Sequence, residues 1–471
     1  MNQPDNPTAL KRRTFLNQAG LGLGMTAFHS LLSRDLSAAS GPQGLSPKLA
    51  RAKRVIFLCM SGGPSHLETF DYKPKLDQMD GKPMPDSFTK GQPIAQLQGQ
   101  ALRVLGHQTK FRKYGSCGQY VSDFLPHTAK MVDDIAVIRS MVTEQINHDP
   151  AHTFMNTGTV ISGRPSMGSW VNYGLGSESQ DLPGFVVLTS VGGRNPQPIA
   201  ARQWGTGFLP SRHQGVEFNS TGDPVHYVTR PSGISGKHQQ ALVQSIQQLD
   251  SRRNDMVDNP EIKARIAAYE MAFRMQASVP ELTDVSDEPQ HVLDMYGAKP
   301  GDGSFASNCL LARRLAEKGV RFIQLYHRGW DHHGGLVKYM NTCCGLTDKP
   351  TWALLTDLKQ RGMLEETLIV WGGEFGRTPM FQGKGGAGRD HHMKGFSMWL
   401  AGGGIQGGTA YGETDELGYA SVKDIVHVRD LHATMLHLLG IDHNRFSVKF
   451  QGLDMRLTGV EPARVVQGVL S

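Results

Sequence analysis

The run Arg54-Val55-Ile56-Phe57-Leu58-Cys59-Met60 passes directly into Ser61-Gly62-Gly63-Pro64-Ser65-His66. A short continuous apolar stretch closed by glycines and a proline predicts a strand buried on both faces, with its C-terminal end opening toward a crevice. Similar runs recur along the chain, and 134–140, 185–189, 320–326, 367–371 and 396–400 read as further strands. Helical patterning marks 304–318, 351–361 and 430–439, the last closed by Gly440, and a helix is expected to begin within 152–158. Helices alternating with buried strands predict an α/β fold: a three-layer α/β/α sandwich around a mostly parallel central sheet.

Composition narrows the function classes. Of 471 residues, 39% are hydrophobic and 20% charged, which excludes wholesale disorder. No apolar run reaches the roughly 18 residues of a spanning helix, so a multi-span membrane protein is excluded and no stable membrane span is expected. The formal charge of +6 comes from 49 basic against 43 acidic residues, a small excess. Part of it lies near the N-terminus, and no basic stripe with interleaved aromatics follows, so no nucleic-acid partner is expected. Five cysteines, an odd count without CxxC spacing, argue against a disulfide framework or a zinc knuckle.

Lys11-Arg12-Arg13-Thr14-Phe15-Leu16-Asn17 is a twin-arginine sequence, followed by a weakly apolar stretch and small residues at Ser37-Ala38-Ala39-Ser40. Residues 1–40 therefore read as a twin-arginine export signal, with the export machinery as partner and a periplasmic or extracellular destination. Residues 50–471 read as one α/β domain. Loop-like composition and then helical periodicity over about 191–290 predict a cap or insertion over the sheet edge.

Nineteen histidines are present, and many of them cluster. Polar groups collect at 61–71, 147–152, 327–334, 372–377 and 388–392, mostly just after predicted strands. In a parallel α/β fold those ends converge on one crevice. Mixed imidazole and carboxylate ligands suit zinc or manganese, and richer oxygen sets suit calcium or magnesium. Asp331 and His333 are two apart, so an extended backbone points them to one side. Glu374 sits at a glycine turn after a strand. His391 or His392 supplies another imidazole, and His66 is either a ligand or a helix-start residue. Arg377 either holds a substrate anion or pairs with Glu374. The expected metal ligands are thus His66, Asp331, His333, Glu374 and His391.

The motifs SGGPSHLETFD (61–71), GFLPSRHQGVEF (207–218), GWDHHGG (329–335), LIVWGGEFGRTP (368–379), GRDHH (388–392) and RDLHATMLHLLGID (429–442) together resemble the domain-of-unknown-function 1501 family, DUF1501. The resemblance covers about 50–465. That family is in turn similar to the alkaline phosphatase and sulfatase superfamily, which implies metal ions at the C-terminal strand edges. His148-Asp149-Pro150-Ala151-His152, followed after four residues by Thr157-Gly158, resembles the T-x-P-x-H-x4-T-G element of its phosphodiesterase and phosphonate-hydrolase branch. There the first position is a threonine nucleophile; here it is His148. The turn after the first strand holds Ser61-Gly62-Gly63 rather than an aspartate, and Glu374-Phe375 stands where an Asp-His pair is usual. No C-x-P-x-R or S-x-P-x-R sequence surrounds the cysteines, so a formylglycine sulfatase is not expected.

The resulting expectation is a metal-dependent hydrolase of phosphate or sulfate esters in the cell envelope, acting on a small anionic or glycan ester. His148, His152 and Arg377 are its catalytic candidates, with His148 as ligand, general base or covalent nucleophile. The alternative is a catalytically inactive protein that binds a metal or an anionic glycan on the same scaffold.

Overall fold

In the strand Arg54–Ser61 (β1) every residue is buried. Ile56, Leu58 and Met60 point into one apolar core, while Val55, Phe57 and Cys59 point into a second. Two cores on alternate side chains of one strand mean that both faces of its sheet are covered. The computed structural model describes residues 43–193, 197–222, 224–225, 238, 241, 244–246, 248–250, 252, 260–383 and 386–471. The expected export signal lies outside the described residues.

The central sheet has nine strands among those residues. After β1 come Ile135–Val142 (β2), Phe185–Thr189 (β3), Val216–Phe218 (β4), Phe322–Arg328 (β5), Thr367–Gly372 (β6), Phe396–Ala401 (β7), Ala410–Tyr411 (β8) and Val426–His427 (β9). Their order is β8-β2-β7-β6-β1-β5-β3-β4, with β9 also paired to β2. All pairings are parallel except those of β7, which runs antiparallel to β6 and β2. The reversal carries Gly402-Gly403-Gly404 to the sheet edge opposite the C-terminal ends of β1, β5 and β6.

Helices cover both faces. His148–Thr157 (α1), Met167–Leu175 (α2) and, near the C-terminus, Val428–Leu438 bury Phe154, Trp170 and Met435 on the Val55 side. Pro260–Thr283 (α3), Phe305–Glu317 (α4) and Leu336–Gln360 (α5) bury Val279, Leu310 and Leu354 on the Ile56 side. The three-layer α/β/α fold with a mostly parallel sheet is therefore the one observed.

Three local readings change. Helix α1 starts at His148 rather than within 152–158, because Pro150 falls in the first turn, where a missing N–H costs nothing. Helix α5 begins at Leu336, not 351, and runs through Pro350, since burial of Met340, Cys343, Leu354 and Leu358 along one face overrides weak helix formers. The expected cap at 191–290 is in part central structure. β4 extends the main sheet beside β3, and Met275, Val279 and Leu282 join the main core. Much of 226–259 lies outside the described residues.

One buried ion pair ties the loop after β1 to the hairpin that carries His391. Arg389 donates to both Glu68 oxygens, at 2.9 and 2.7 Å, and to the carbonyls of Leu105 and Gly106. Both side chains are fully buried. Burial alone raises the pKa of Glu68, but the charge and hydrogen bonds of Arg389 outweigh it and hold the carboxyl below 4.5. A depressed folded-state pKa gives stability that is complete above about pH 4.5 and is lost as pH falls through the folded value. Removing one partner of a buried pair typically costs about 3–5 kcal/mol. Arg389→Met is therefore expected to lower urea-unfolding stability by that amount at pH 7. The gap to wild type should narrow as pH falls below 4.5; a gap independent of pH would contradict the linkage.

Candidate metal centre

The C-terminal ends of β5, β1 and β6 lie side by side, and the loops that follow them meet the first turn of α1. β1 supplies main chain: Gly62 and Gly63 donate their N–H groups to the Glu374 carboxylate at 3.0–3.2 Å. Gly62 needs to be glycine here. Its φ is +123°, and an added Cβ would stand 2.5 Å from the Asp331 nitrogen. β5 leads to Asp331 and His333, and β6 to Glu374. A two-stranded hairpin, Gly376–Arg377 against His391–His392, sets His391 opposite Arg377.

These residues form a continuous chain of contacts. Glu374 Oε1 accepts from His148 Nδ1 at 2.6 Å. His148 Nε2 faces Asp331 Oδ2 at 3.3 Å. Asp331 Oδ1 lies 2.8 Å from His333 Nε2, 3.1 Å from His391 Nε2 and 2.6 Å from Arg377 Nη2. The two imidazole Nε2 atoms are 2.9 Å apart. His152 Nε2 stands 3.4 Å from Glu374 Oε1 on the buried side. The ring of Phe375 packs against His148 and His391, with centroids 4.9 and 4.6 Å away.

Hydrogen-bond partners fix how the rings are turned. His391 Nδ1 donates to the Ile146 carbonyl at 2.9 Å, and a carbonyl can only accept. Burial, reinforced by the nearby Arg377 charge, lowers the His391 pKa to about 4, so the ring is neutral at pH 7 and its Nε2 carries a bare lone pair. His333 Nδ1 donates to Gln382 Oε1 at 2.6 Å, and its Nε2 faces Asp331 Oδ1 and His391 Nε2, with the Gln96 side-chain amide nitrogen 3.4 Å away. Both Nε2 atoms point at one oxygen of Asp331. Burial opposes ionisation of that carboxylate, but Arg377, first among its neighbours, outweighs it and holds its pKa far below the usual range. Two ring nitrogens and a carboxylate oxygen grouped this closely make a ligand set for a cation. Arg377 answers the Asp331 charge but neither imidazole. An ion bound at about 2.0–2.1 Å in tetrahedral geometry holds its ligand atoms about 3.3 Å apart. The separations of 2.8–3.3 Å come close to that without adjustment of the backbone. Outer N–H groups donating to a carbonyl and an amide oxygen are the usual support of metal-binding imidazoles. The residues present therefore fit a divalent ion. Two overlapping sets of ligand atoms, His148/Asp331/His391 and His148/His152/Glu374, are each grouped within 4.8 Å.

Most expected residues meet here: His148, His152, Asp331, His333, Glu374, Arg377 and His391. His66 does not. Its Nε2 donates to the Gly418 carbonyl at 2.8 Å, because the short helical turn His66–Glu68 faces it away from the crevice. Arg377 is not available as an anion clamp. Its Nε, Nη1 and Nη2 donate to the carbonyls of Gly63, Arg389 and Gly62, and Nη2 also to Asp331. Of the paired histidines, His332 turns inward to the Gly329 carbonyl and His392 stacks on Tyr419. Burial lowers the pKa of Glu374's neighbour His152, while that of His148 is raised. For His148, burial is outweighed by its hydrogen bonds to Asp331 and Glu374. Glu374 itself is held down at about 2, because His152 and His148 outweigh the effect of burial. Sequence reasoning missed Gly62 and Gly63 as donors, Phe375 as packing partner, and Gln382 and the Ile146 carbonyl as orienting groups. Phe375 lay within a quoted motif. Gln382 reaches the site only through an isolated bridge between 382 and 388, which leaves no local pattern.

Among the described residues no helix is long and apolar enough to cross a membrane. No curated protein matches the chain. Among solved structures it is similar to the lipoteichoic acid synthase LtaP from Listeria monocytogenes, at 10% identity over 92% of this chain and 79% of that one, with a TM-score of 0.35. It is similar to the PsFucS1 sulfatase from Pseudoalteromonas sp., at 13% identity over 84% and 69%, with a TM-score of 0.33. A TAB5 alkaline phosphatase variant gives 11% identity over 78% and 96%, with a TM-score of 0.31. At such identities and scores these likenesses carry nothing about chemistry, which rests on this chain's own residues. The sequence itself matches one family model, described as Protein of unknown function (DUF1501), over residues 52–470. That span is nearly the whole chain, and the protein belongs to the DUF1501 family.

Proposed function

We propose that this protein is a metal-dependent hydrolase of phosphate or sulfate esters that works outside the cytoplasm. One observation carries the reading: the Nε2 atoms of His333 and His391 converge on Asp331 Oδ1, at 2.8–3.1 Å, two imidazoles and a carboxylate grouped as a divalent ion would need them. In this reading Asp331, His333 and His391 hold the ion. Two imidazoles with a carboxylate favour zinc or manganese over calcium or magnesium. When bound, a divalent ion there supplies Lewis acidity toward an ester oxygen and acidifies water.

The remaining groups have separate tasks. Glu374, with its charge spread over the Gly62 and Gly63 N–H groups, fixes His148 so that Nδ1 holds the proton and Nε2 faces the crevice. With an ion on Asp331 in place of its own hydrogen bond, His148 would be able to take a proton at Nε2 from the attacking water. Arg377 is a positioning residue that holds Asp331. His152, buried behind Glu374, stands with its Nε2 3.4 Å from that carboxylate. The twin-arginine sequence at 11–17 supports export.

The test is a screen of the metal-replete full chain against p-nitrophenyl phosphate, bis(p-nitrophenyl) phosphate and p-nitrophenyl sulfate, with and without a chelator. Turnover of at least one ester, abolished by the chelator and restored by zinc or manganese, is the expected result. No turnover of any of the three by metal-loaded protein would overturn the reading. A second reading, a non-hydrolytic metal- or glycan-binding protein, is favoured by one observation: the arginine at the site already donates to protein acceptors through all three nitrogens.

A further inference from the structure

Beyond Thr157 and Gly158, at the end of α1 away from His148, opens a cavity of about 290 Å³. Helix α1 has ten residues, so its ends lie roughly 15 Å apart. The cavity is separate from the cluster described above.

Its floor is aromatic. Trp170 and Phe208 meet edge to face with centroids 5.9 Å apart, and Phe450 stacks on Phe208 at 4.6 Å. Phe208 belongs to the 207–218 motif, which has no part in the metal centre. Gly207 allows the close approach. Its φ is +54°, and an added Cβ would stand 2.4 Å from the Gly163 carbonyl oxygen.

Its charge is unbalanced. Arg429 lines the cavity but pairs with Glu144 and lies over Phe154, close to the carbonyl end of α1. Arg164 is different: it lies over the Phe208 ring at 5.8 Å, and its Nη1 is buried without any hydrogen-bond partner. Among the described residues the Arg456 guanidinium donates to the Asn444 carbonyl, at 3.4 Å. Among the described residues neither Arg164 nor Arg456 has a carboxylate partner, and Glu461 is the single acidic group in the lining. A buried guanidinium donor left unpaired is costly, which marks a place for an anion.

Its mouth is apolar. Ile161 is 58% exposed and Val460 87%, and Leu453, 65% exposed, stands on the hairpin beside Phe450. Single exposed apolar residues need no explanation, but several around one basic cavity do.

We propose that this cavity binds an anionic amphiphile. Its phosphate or carboxylate head lies between Arg164 and Arg456, and its apolar chain runs along Phe208, Ile161 and Val460. The test is calorimetric titration of the full chain with dodecyl phosphate below its micellar concentration, beside inorganic phosphate and dodecyl maltoside. Saturable binding of dodecyl phosphate is expected, about tenfold or more tighter than either comparison ligand. Arg164→Met should weaken it about tenfold. Val460→Asp, a change on the open rim that spares the fold, should weaken dodecyl phosphate but not inorganic phosphate. No saturable binding, or equal affinity for the neutral maltoside, would overturn the proposal. So would binding lost in His333→Ala but kept in Arg164→Met, because the ligand would then sit at the metal centre.

Discussion

His148→Ala is expected to lower kcat/KM for the best ester substrate by about 10²–10⁴-fold while metal content stays at the wild-type level. The expectation follows from how the ring is held. Nδ1 is tied to Glu374 at 2.6 Å, so a proton sits on that side, and Nε2 lies 3.3 Å from Asp331 Oδ2. A base in a fixed tautomer loses its whole contribution when the ring is removed, whereas the ion-binding atoms of Asp331, His333 and His391 do not touch that bond. Glu374→Gln separates orientation from proton transfer. It keeps the shape but weakens the hold on Nδ1, and outer partners of this kind are usually worth about 10–100-fold. A His148→Ala rate within twofold of wild type would remove the ring from the reaction. Loss of metal in the same variant would make His148 a ligand instead.

His391→Ala is expected to weaken metal binding by more than the roughly 100-fold upper end seen for outer partners, and to abolish turnover with it. His391 is neutral at pH 7 because burial lowers its pKa to about 4, and its Nδ1 proton is fixed on the Ile146 carbonyl. Its Nε2 faces Asp331 Oδ1 at 3.1 Å and His333 Nε2 at 2.9 Å, the other two atoms of the proposed ligand set. Removing the ring also removes the packing of Phe375 against it, so thermal unfolding of the metal-free variant has to be measured alongside. His332→Ala is the matched control, since that ring turns to the Gly329 carbonyl inside the core. Equal metal affinity in His391→Ala and wild type would contradict the assignment.

Much of this was legible in the sequence because two signals act locally. Apolar runs closed by glycine gave the strands at 54–61, 185–189 and 367–372, for a strand buried on both faces has no polar position to hide it. Asp331 and His333 were legible as a pair because two-residue spacing alone puts them on one side. What escaped depends on distant partners. The direction of β7 is set by its pairing with β6 and β2, and no residue within 396–401 encodes it. Arg377 carries the charge of an anion clamp, yet its neighbours in space are the carbonyls of Gly62 and Gly63, more than 300 positions away. His66 and His391 look alike as histidines after glycine-bearing turns. Only the tertiary fold sends one to the Gly418 carbonyl and the other to Asp331.

Elemental analysis of the full chain, purified and dialysed against metal-free buffer, tests the central claim most directly. The account predicts about one equivalent of zinc or manganese per chain, retained through dialysis and absent from an Asp331→Ala/His333→Ala variant. No retained divalent metal in the wild-type protein, or equal metal in both proteins, would contradict it.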